Sequence, residues 1–279
     1  MKTLIKTWRD LEKAARWDID FHLPAERILQ FDPSILKRVD EVADIASGKR
    51  DPGSSPDDTF QYIDIAAVDV SAGIITNPQD VEGSDAPSRA RKVVRAFDVI
   101  VSTCRPTRGA IAVVPVSLHN EIASTAFSVV RPRVGLNPFY LHFALRMPST
   151  LEQFRKWSTG SSYPAILDSD VKKTLIPVPS PEKQDEIAAL LIEGLNRRDE
   201  EIRMADNAWN RTTAAITQSL SIARESPSVQ QTPHQNLFDL FDLASINQII
   251  KGLPDLTVDR GRGRDTSEDA EDLFSSALL

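Results

Sequence analysis

The chain has 279 residues, 41% of them hydrophobic and 26% charged. That is enough apolar material for a packed core, and it excludes collagen-like, wholly disordered and disulfide-scaffold classes. Its 33 lysines and arginines against 40 aspartates and glutamates give a formal net charge of -7, which taken as a sum argues against a nucleic-acid binder. The sum conceals a partition. Residues 86–180 carry 13 basic and 5 acidic side chains, whereas 41–85 carry 2 and 10, and 225–279 carry 4 and 10. A basic block between acidic flanks reads either as a local polyanion site or as ordinary surface patterning.

No apolar run approaches the roughly 20 residues that span a bilayer. The opening MKTLIKTWRD lacks the apolar stretch of a signal peptide, so a cytoplasmic protein without membrane association is expected. The one cysteine, Cys104, leaves no internal disulfide and no multi-cysteine zinc site. Beside Arg105 and Arg108 its thiol is a candidate for activation, but a small strand residue is the simpler reading.

In chain order, Trp8, Leu11, Ala15 and Ile19 share helical spacing, and a loop follows at SGKRDPGSSPDD. YIDIAAVDV and GIIT read as two strands joined through Ser71-Ala72-Gly73, and NPQDVEGSDAPS as a second loop. DVIVSTC and GAIAVVPV are short, apolar and β-branched, hence buried strands, and IASTAFSVVRP supplies another. At LNPFYLHFALRM the period turns helical, with Asn137 suited to the N-cap, Pro138 to the first helical position, and Leu141, Ala144 and Leu145 forming a stripe. A second helix ends near Gly160, and SSYPAILDSDVKKTLIPVPSP returns to strand and loop. From Glu182 to about Ala223 a long helix is predicted, roughly 60 Å at 1.5 Å per residue. Ala188, Leu195, Ile202, Trp209 and Ile216 recur every seventh residue along it, while the companion positions Leu191, Arg198, Ala205, Thr212 and Ser219 are mostly polar. Such a seam requires a second helix, from this chain or another. The last part holds a polar linker, a short amphipathic helix in LFDLFDLASINQIIKGL and an acidic end expected to be flexible.

Catalytic patterns are wanting. His22, His119, His142 and His234 are too far apart for a close metal pair, and SGKR fails the phosphate-loop pattern because Ala43 takes the first glycine position and Arg50 replaces Ser or Thr. Asn137-Pro138-Phe139-Tyr140 is superficially like the Asn-Pro-Pro-Tyr loop of amino-directed methyltransferases, but a helix start explains it more simply. Asp168 and Asp170-Val171-Lys172 lack an identifiable third partner for a nuclease metal site, and Ser161 and Ser162 lack a base. No catalytic residue, metal or cofactor is expected.

The basic side chains instead gather around turns. Arg89, Arg91, Lys92 and Arg95 precede the DVIVSTC strand, and Arg105 and Arg108 follow it, with Ser102 as a short polar arm. Guanidinium groups on rigid strand ends fork onto phosphate oxygens or onto guanine O6 and N7. The loop through Gly160, Ser161, Ser162 and Tyr163 offers backbone for close phosphate approach. A solvated surface with ordinary turn serines stands as the alternative.

The order Tyr62-Ile63-Asp64-Ile65, Pro87-Ser88-Arg89-Ala90-Arg91, Phe97-Asp98-Val99-Ile100-Val101-Ser102, Ile122-Ala123-Ser124-Thr125-Ala126-Phe127, Gly160-Ser161 and Ile176-Pro177-Val178-Pro179, with Gln184 and Ile187, resembles the target recognition domain of type I restriction-modification specificity subunits. The long helix that follows resembles that family's spacer, so the likeness covers about 35–224. It implies an α/β (α+β) chain: a strand-rich recognition domain, one long coiled-coil-like helix and a flexible tail. The corresponding segments are an N-terminal helical segment at 1–34, the recognition domain at 35–180, the spacer at 181–224, and linker and tail at 225–279.

It further implies a non-catalytic reader of double-stranded DNA that docks methyltransferase subunits, which bring S-adenosylmethionine and methylate adenine, and a separate restriction subunit that brings ATP-driven cleavage. One recognition domain specifies half of a bipartite site. Pairing through Leu195, Ile202, Trp209 and Ile216, in a homodimer or with another half-subunit, would complete it. The competing readings are an orphan DNA methyltransferase or nuclease, and an adaptor that does not read sequence.

Overall fold

The computed structural model describes residues 5–14, 16–17, 19–23, 25–160, 162–220 and 243–253. Helices α1 (Trp8–Ala14) and α2 (Ile19–His22) lead into strand β1 (Leu36–Arg38), helix α3 (Val39–Val42) and strand β2 (Ala43–Ile45). A strand-rich run follows: β3 (Thr59–Ile63), β4 (Val68–Asp69), β5 (Ile74–Ile75), β6 (Gln79–Glu82), β7 (Ala90–Val93), β8 (Val99–Ser102), β9 (Ile111–Val113), β10 (Ile122–Ser124) and β11 (Phe127–Pro132). The chain then turns helical through α4 (Pro138–Arg146), α5 (Pro148–Trp157) and α6 (Asp168–Lys173), makes strand β12 (Leu175–Pro177), and finishes with α7 (Pro181–Leu220) and α8 (Leu243–Gly252).

Two four-stranded sheets, in the orders β2-β11-β8-β9 and β6-β3-β10-β7, form the body of the fold. The first is wholly antiparallel, whereas β10 runs parallel to β3, with Ile122 opposite Tyr62. Successive strand residues point to opposite faces, and β8 shows why its sequence reads as unbroken apolar. Val99 and Val101 enter a core shared with Leu141, Ala144, Leu145 and Ile192, while Ile100 enters a second core with Ile63, Ala123 and Phe127. The first sheet is therefore the middle layer, with helices on one face and the second sheet on the other.

Helix α4 begins as its sequence predicts. Asn137 Oδ1 accepts from the backbone N–H groups of Phe139 (2.9 Å) and Tyr140 (3.3 Å), with Pro138 at the first helical position, a cap whose removal costs about 1 kcal/mol. Leu141, Ala144 and Leu145 are fully buried. Helix α7 is keyed to this start: Gln184 is buried, its Oε1 accepting from Asn137 N (2.9 Å) and its Nε2 donating to Pro179 O (2.9 Å).

The structure corrects several sequence expectations. YIDIAAVDV is not one strand; Asp64 ends β3 by accepting from Ala67 N at 3.0 Å and starts a single helical turn, because a short side-chain acceptor competes with the sheet ladder for backbone N–H groups. The NPQDVEGSDAPS loop contains β6, antiparallel to β3, which has little apolar patterning because its residues are mostly exposed. IASTAFSVVRP splits into β10 and β11, and DSDVKK forms α6 rather than a strand. The helix expected from Trp8 to Ile19 is two short ones, and Trp8 and Trp17 meet edge to face, 5.0 Å between centroids, while staying exposed. The short amphipathic helix expected in LFDLFDLASINQIIKGL is present as α8, and what the sequence does not foretell is that its Ile246 lies in the main core. Residues 221–242 and 254–279, to which the remaining linker and flexible-tail expectations refer, lie outside the described residues.

Candidate nucleic-acid interface

A cleft of about 630 Å³ opens where the turn between β8 and β9, the turn before β7 and the ends of β3 and β10 meet. Arg89, Arg105 and Arg108 line it, with Tyr62, Asp64 and Cys104. The turns that carry the arginines are built by hydrogen bonds and backbone conformation. Arg89 sits in a turn closed by Ala90 N to Pro87 O (2.8 Å), and its own carbonyl accepts from Thr125 N (2.8 Å). Arg105 adopts the left-handed conformation (φ 48°, ψ 52°) ahead of a helical turn over Pro106–Arg108, closed by Gly109 at φ 75°. Left-handed backbone is uncommon for a non-glycine residue; here Arg105 N donates to Pro164 O at 2.7 Å, and the guanidinium lies 4.7 Å from the Tyr163 ring centroid. Among the described residues, no hydrogen bond or ion pair engages the guanidinium groups of Arg89, Arg105 or Arg108.

The other sequence candidates go elsewhere. Arg91 donates to Ala90 O (2.9 Å) and lies 3.5 Å from Asp51. Lys92, largely buried, lies 3.5 Å from Asp168. Arg95 lines a separate cavity of about 110 Å³ with Asp98, His119 and Arg131, which Ile250 of α8 and Leu253 just after that helix also line. Ser102 is no surface arm: it is buried, its hydroxyl donating to Cys104 O at 2.7 Å, since the last residue of a buried strand has nowhere else to place a hydroxyl. Ser161 lies outside the described residues. Cys104 is exposed in the cleft. Asp64 is a cleft residue that sequence reasoning passed over as a site residue, the Asp followed by Ile-Ala-Ala being the available signal of a capped turn, whereas Tyr163, named in the sequence with its loop, stacks against Arg105.

A second feature holds the arginine turn in place. The Arg146 guanidinium donates to Gly109 O (3.0 Å) and Ile111 O (3.3 Å) with one nitrogen, and to Val70 O (2.9 Å) and Ser71 O (3.0 Å) with the other. The turn after β4 is in turn fixed to α7, where Arg198 lies 3.2 Å from Asp69 and donates to Ser71 Oγ at 2.8 Å. Gly73, at φ 73°, leaves room for this packing, since a Cβ there would collide with Arg146 and His142. His142 is buried beside it, and burial together with the Arg146 charge lowers its pKa to about 3, so the ring is neutral.

The predicted helix-pairing residues divide. Leu195 is buried in its own chain against Ala72 and Ile74, so it is not part of an open seam. Ile202 (42% exposed), Trp209 (65%) and Ile216 (53%) lie further along α7 and face solvent. The helix runs about 38 Å past Leu195 at 1.5 Å per residue.

No group of three or more potential metal ligands occurs among the described residues, and no helix there is long and apolar enough to cross a membrane. The type I restriction enzyme HindI specificity subunit of Haemophilus influenzae is 27% identical over 139 residues, 49% of this chain and 29% of that protein. The MjaIX specificity subunit of Methanocaldococcus jannaschii is 29% identical over 85 residues, 30% of this chain and 20% of that one. Among solved structures, the HsdS subunit from Thermoanaerobacter tengcongensis is 37% identical with a TM-score of 0.52, covering 66% of this chain and 47% of that chain. A chain from the structure described as the basis of complex assembly and conformational transition of the type I R-M system is 35% identical with a TM-score of 0.53, covering 71% and 51%. The chain thus spans about half the length of these solved relatives and a smaller share of the curated ones. Residues 35–197 match the type I restriction modification DNA specificity domain, and the chain belongs to that family.

Proposed function

We propose that this chain is a non-catalytic specificity subunit that reads one half of a bipartite site in double-stranded DNA. The observation that carries this reading is the convergence of Arg89, Arg105 and Arg108, none of them neutralised by an ion pair among the described residues, on one cleft formed by rigid turns. Forked guanidinium groups held on short turns suit phosphate and guanine edges. Membership of the specificity-domain family supports the same reading. The exposed length of α7 bearing Ile202, Trp209 and Ile216 would pair with a second helix, from another copy or a half-subunit, and provide the docking surface for methyltransferase subunits. Methyl transfer and cleavage would then reside in those partners.

Selection of bound duplexes from a random pool by the full chain tests the reading, with Arg105→Ala, Arg108→Ala and Arg89→Ala alongside. An enriched half-site motif, weakened or relaxed by these substitutions, is expected. A base-edge contact should cost about 1–3 kcal/mol and relax one position, and a phosphate contact should lower the salt slope by about one. Motif-free binding would favour the adaptor, and methyl incorporation or nicking by the isolated chain would favour the enzyme.

A further inference from the structure

The cleft contains one acid among its arginines. Asp64 Oδ1 accepts from Ala67 N at 3.0 Å, which fixes the carboxylate as the cap of its helical turn. Among the described residues Oδ2 has no hydrogen bond, and no ion pair joins Asp64 to Arg89, Arg105 or Arg108, although all four line the same space. Unlike Asp44, Asp51 and Asp69, this carboxylate is therefore not spent on neutralising a neighbouring arginine.

A duplex presents few groups that such an oxygen would face. Phosphates repel it, and the ring nitrogens and carbonyl oxygens of base edges are acceptors, as it is. In the major groove the only donors are exocyclic amino groups, N4 of cytosine and N6 of adenine. Facing a major-groove edge, a cap-fixed, acceptor-only atom in a cleft that is otherwise cationic therefore selects for adenine N6 or cytosine N4 and against thymine O4 or guanine O6 at the same place. We infer that Asp64 is a specificity-determining residue whose Oδ2 accepts a hydrogen bond from the major-groove amino group of one adenine or cytosine in the recognised half-site. The inference rests on the DNA-reading function proposed above. The arginines would supply affinity and register, and Asp64 would supply discrimination at one position.

The test uses the full chain and the duplex enriched by it from a random pool. At each adenine or cytosine of the motif, the base is replaced by its analogue lacking the amino group, purine for adenine and 2-pyrimidinone for cytosine. Binding is measured for wild type, Asp64→Asn and Asp64→Ser. Both variants keep a side-chain oxygen able to cap the turn, and thermal melting verifies that they fold. One analogue position should weaken wild-type binding about tenfold or more, as expected for a good base-edge contact, and should leave both variants unaffected. The position identifies the base as adenine or cytosine. Affinity for non-motif DNA should be unchanged or raised in the variants, because a repulsive charge is gone, whereas mere loss of structure would lower specific and non-motif binding together. The inference is overturned if no analogue weakens wild type, if the variants remain equally sensitive, or if folded variants lose specific and non-motif binding alike. Failure of wild type to enrich any motif would instead overturn the DNA-reading function itself.

Discussion

Removing the Arg146 guanidinium should be among the most damaging single changes available in this fold. It donates to four backbone carbonyls, on Gly109, Ile111, Val70 and Ser71, at 2.9–3.3 Å. Hydrogen bonds from a charged donor contribute about 1.5–3 kcal/mol each. The four share one side chain and do not add, and partial burial, which lowers the Arg146 pKa, offsets some of the gain. Arg146→Met should therefore destabilise by about 3–5 kcal/mol, a large part of the 5–15 kcal/mol that typically separates folded from unfolded states. Arg146→Lys keeps the charge, but one ammonium cannot span both pairs of carbonyls, so it should recover about half. Urea unfolding followed by tryptophan fluorescence measures both, and a change below about 1 kcal/mol in Arg146→Met would refute the assignment of these bonds as a main tie. The same substitution should weaken DNA binding, because Gly109 closes the turn that bears Arg105 and Arg108. Wild-type affinity in a demonstrably loosened variant would show that other contacts, such as Arg105 N to Pro164 O, suffice to hold that turn.

Other consequences are separable. His142 is neutral in the fold with a pKa near 3, below its unfolded value of about 6.5, so its contribution is present above pH 6.5 and is lost as pH falls toward 3, at up to about 1.4 kcal/mol per unit. Between pH 7 and pH 5 wild type should lose about 2 kcal/mol more than His142→Leu, and equal losses would contradict this. Leu195→Ala should cost about 2 kcal/mol through lost packing on Ala72 and Ile74. Ile202→Glu, at an exposed position, should leave stability within about 0.5 kcal/mol while abolishing self-association in sedimentation, and a wild-type monomer at micromolar concentration would remove the homodimer idea. Arg131→Ala should cost about 3 kcal/mol: Asp98, whose carboxyl pKa burial pushes up, accepts from Arg131 at 2.7 and 2.8 Å and would keep only the bond from Arg95 N at 2.8 Å.

The elements legible in the sequence were those whose signal is local. Asn137-Pro138 marked the start of α4 because cap and first-turn residues act within a few positions, and the Leu141, Ala144 and Leu145 stripe marked its buried face. The apolar runs of β8 and β9 were equally plain because each lies between two cores. Strand β6 was invisible: an exposed edge strand of Gln, Asp, Val and Glu is specified by its partner β3 rather than by its own pattern. The seven-residue repeat runs along α7, but periodicity cannot tell which members meet the chain's own globule, and Leu195 does so while Ile202 does not. The candidate interface was half legible for the same reason. Arg89, Arg105 and Arg108 share a cleft, whereas Arg91 and Lys92, only two and three residues beyond Arg89, are turned to Asp51 and Asp168 by the strand that intervenes.

That division of the basic block sets how strongly binding should respond to salt. Of the 13 basic residues between 86 and 180, Arg91, Lys92, Arg131, Arg133 and Lys173 stand in ion pairs and Arg146 is occupied by carbonyls. Two of their partners, Asp44 and Asp51, belong to the acidic segment at 41–85, so that segment neutralises part of the block rather than merely flanking it. A wholly solvated block with its excess of basic side chains would release counterions in proportion to that excess, with a logarithmic salt slope near -7 at about -0.9 per neutralised phosphate. Three cleft arginines outside any described ion pair predict a slope near -3 for a single chain, its magnitude falling by about one with each arginine replaced by alanine. Titration of one enriched duplex between about 50 and 200 mM salt separates the two. A slope near -7 would mean that DNA breaks the internal ion pairs and spreads over the wider surface, and the cleft would then be only part of the interface.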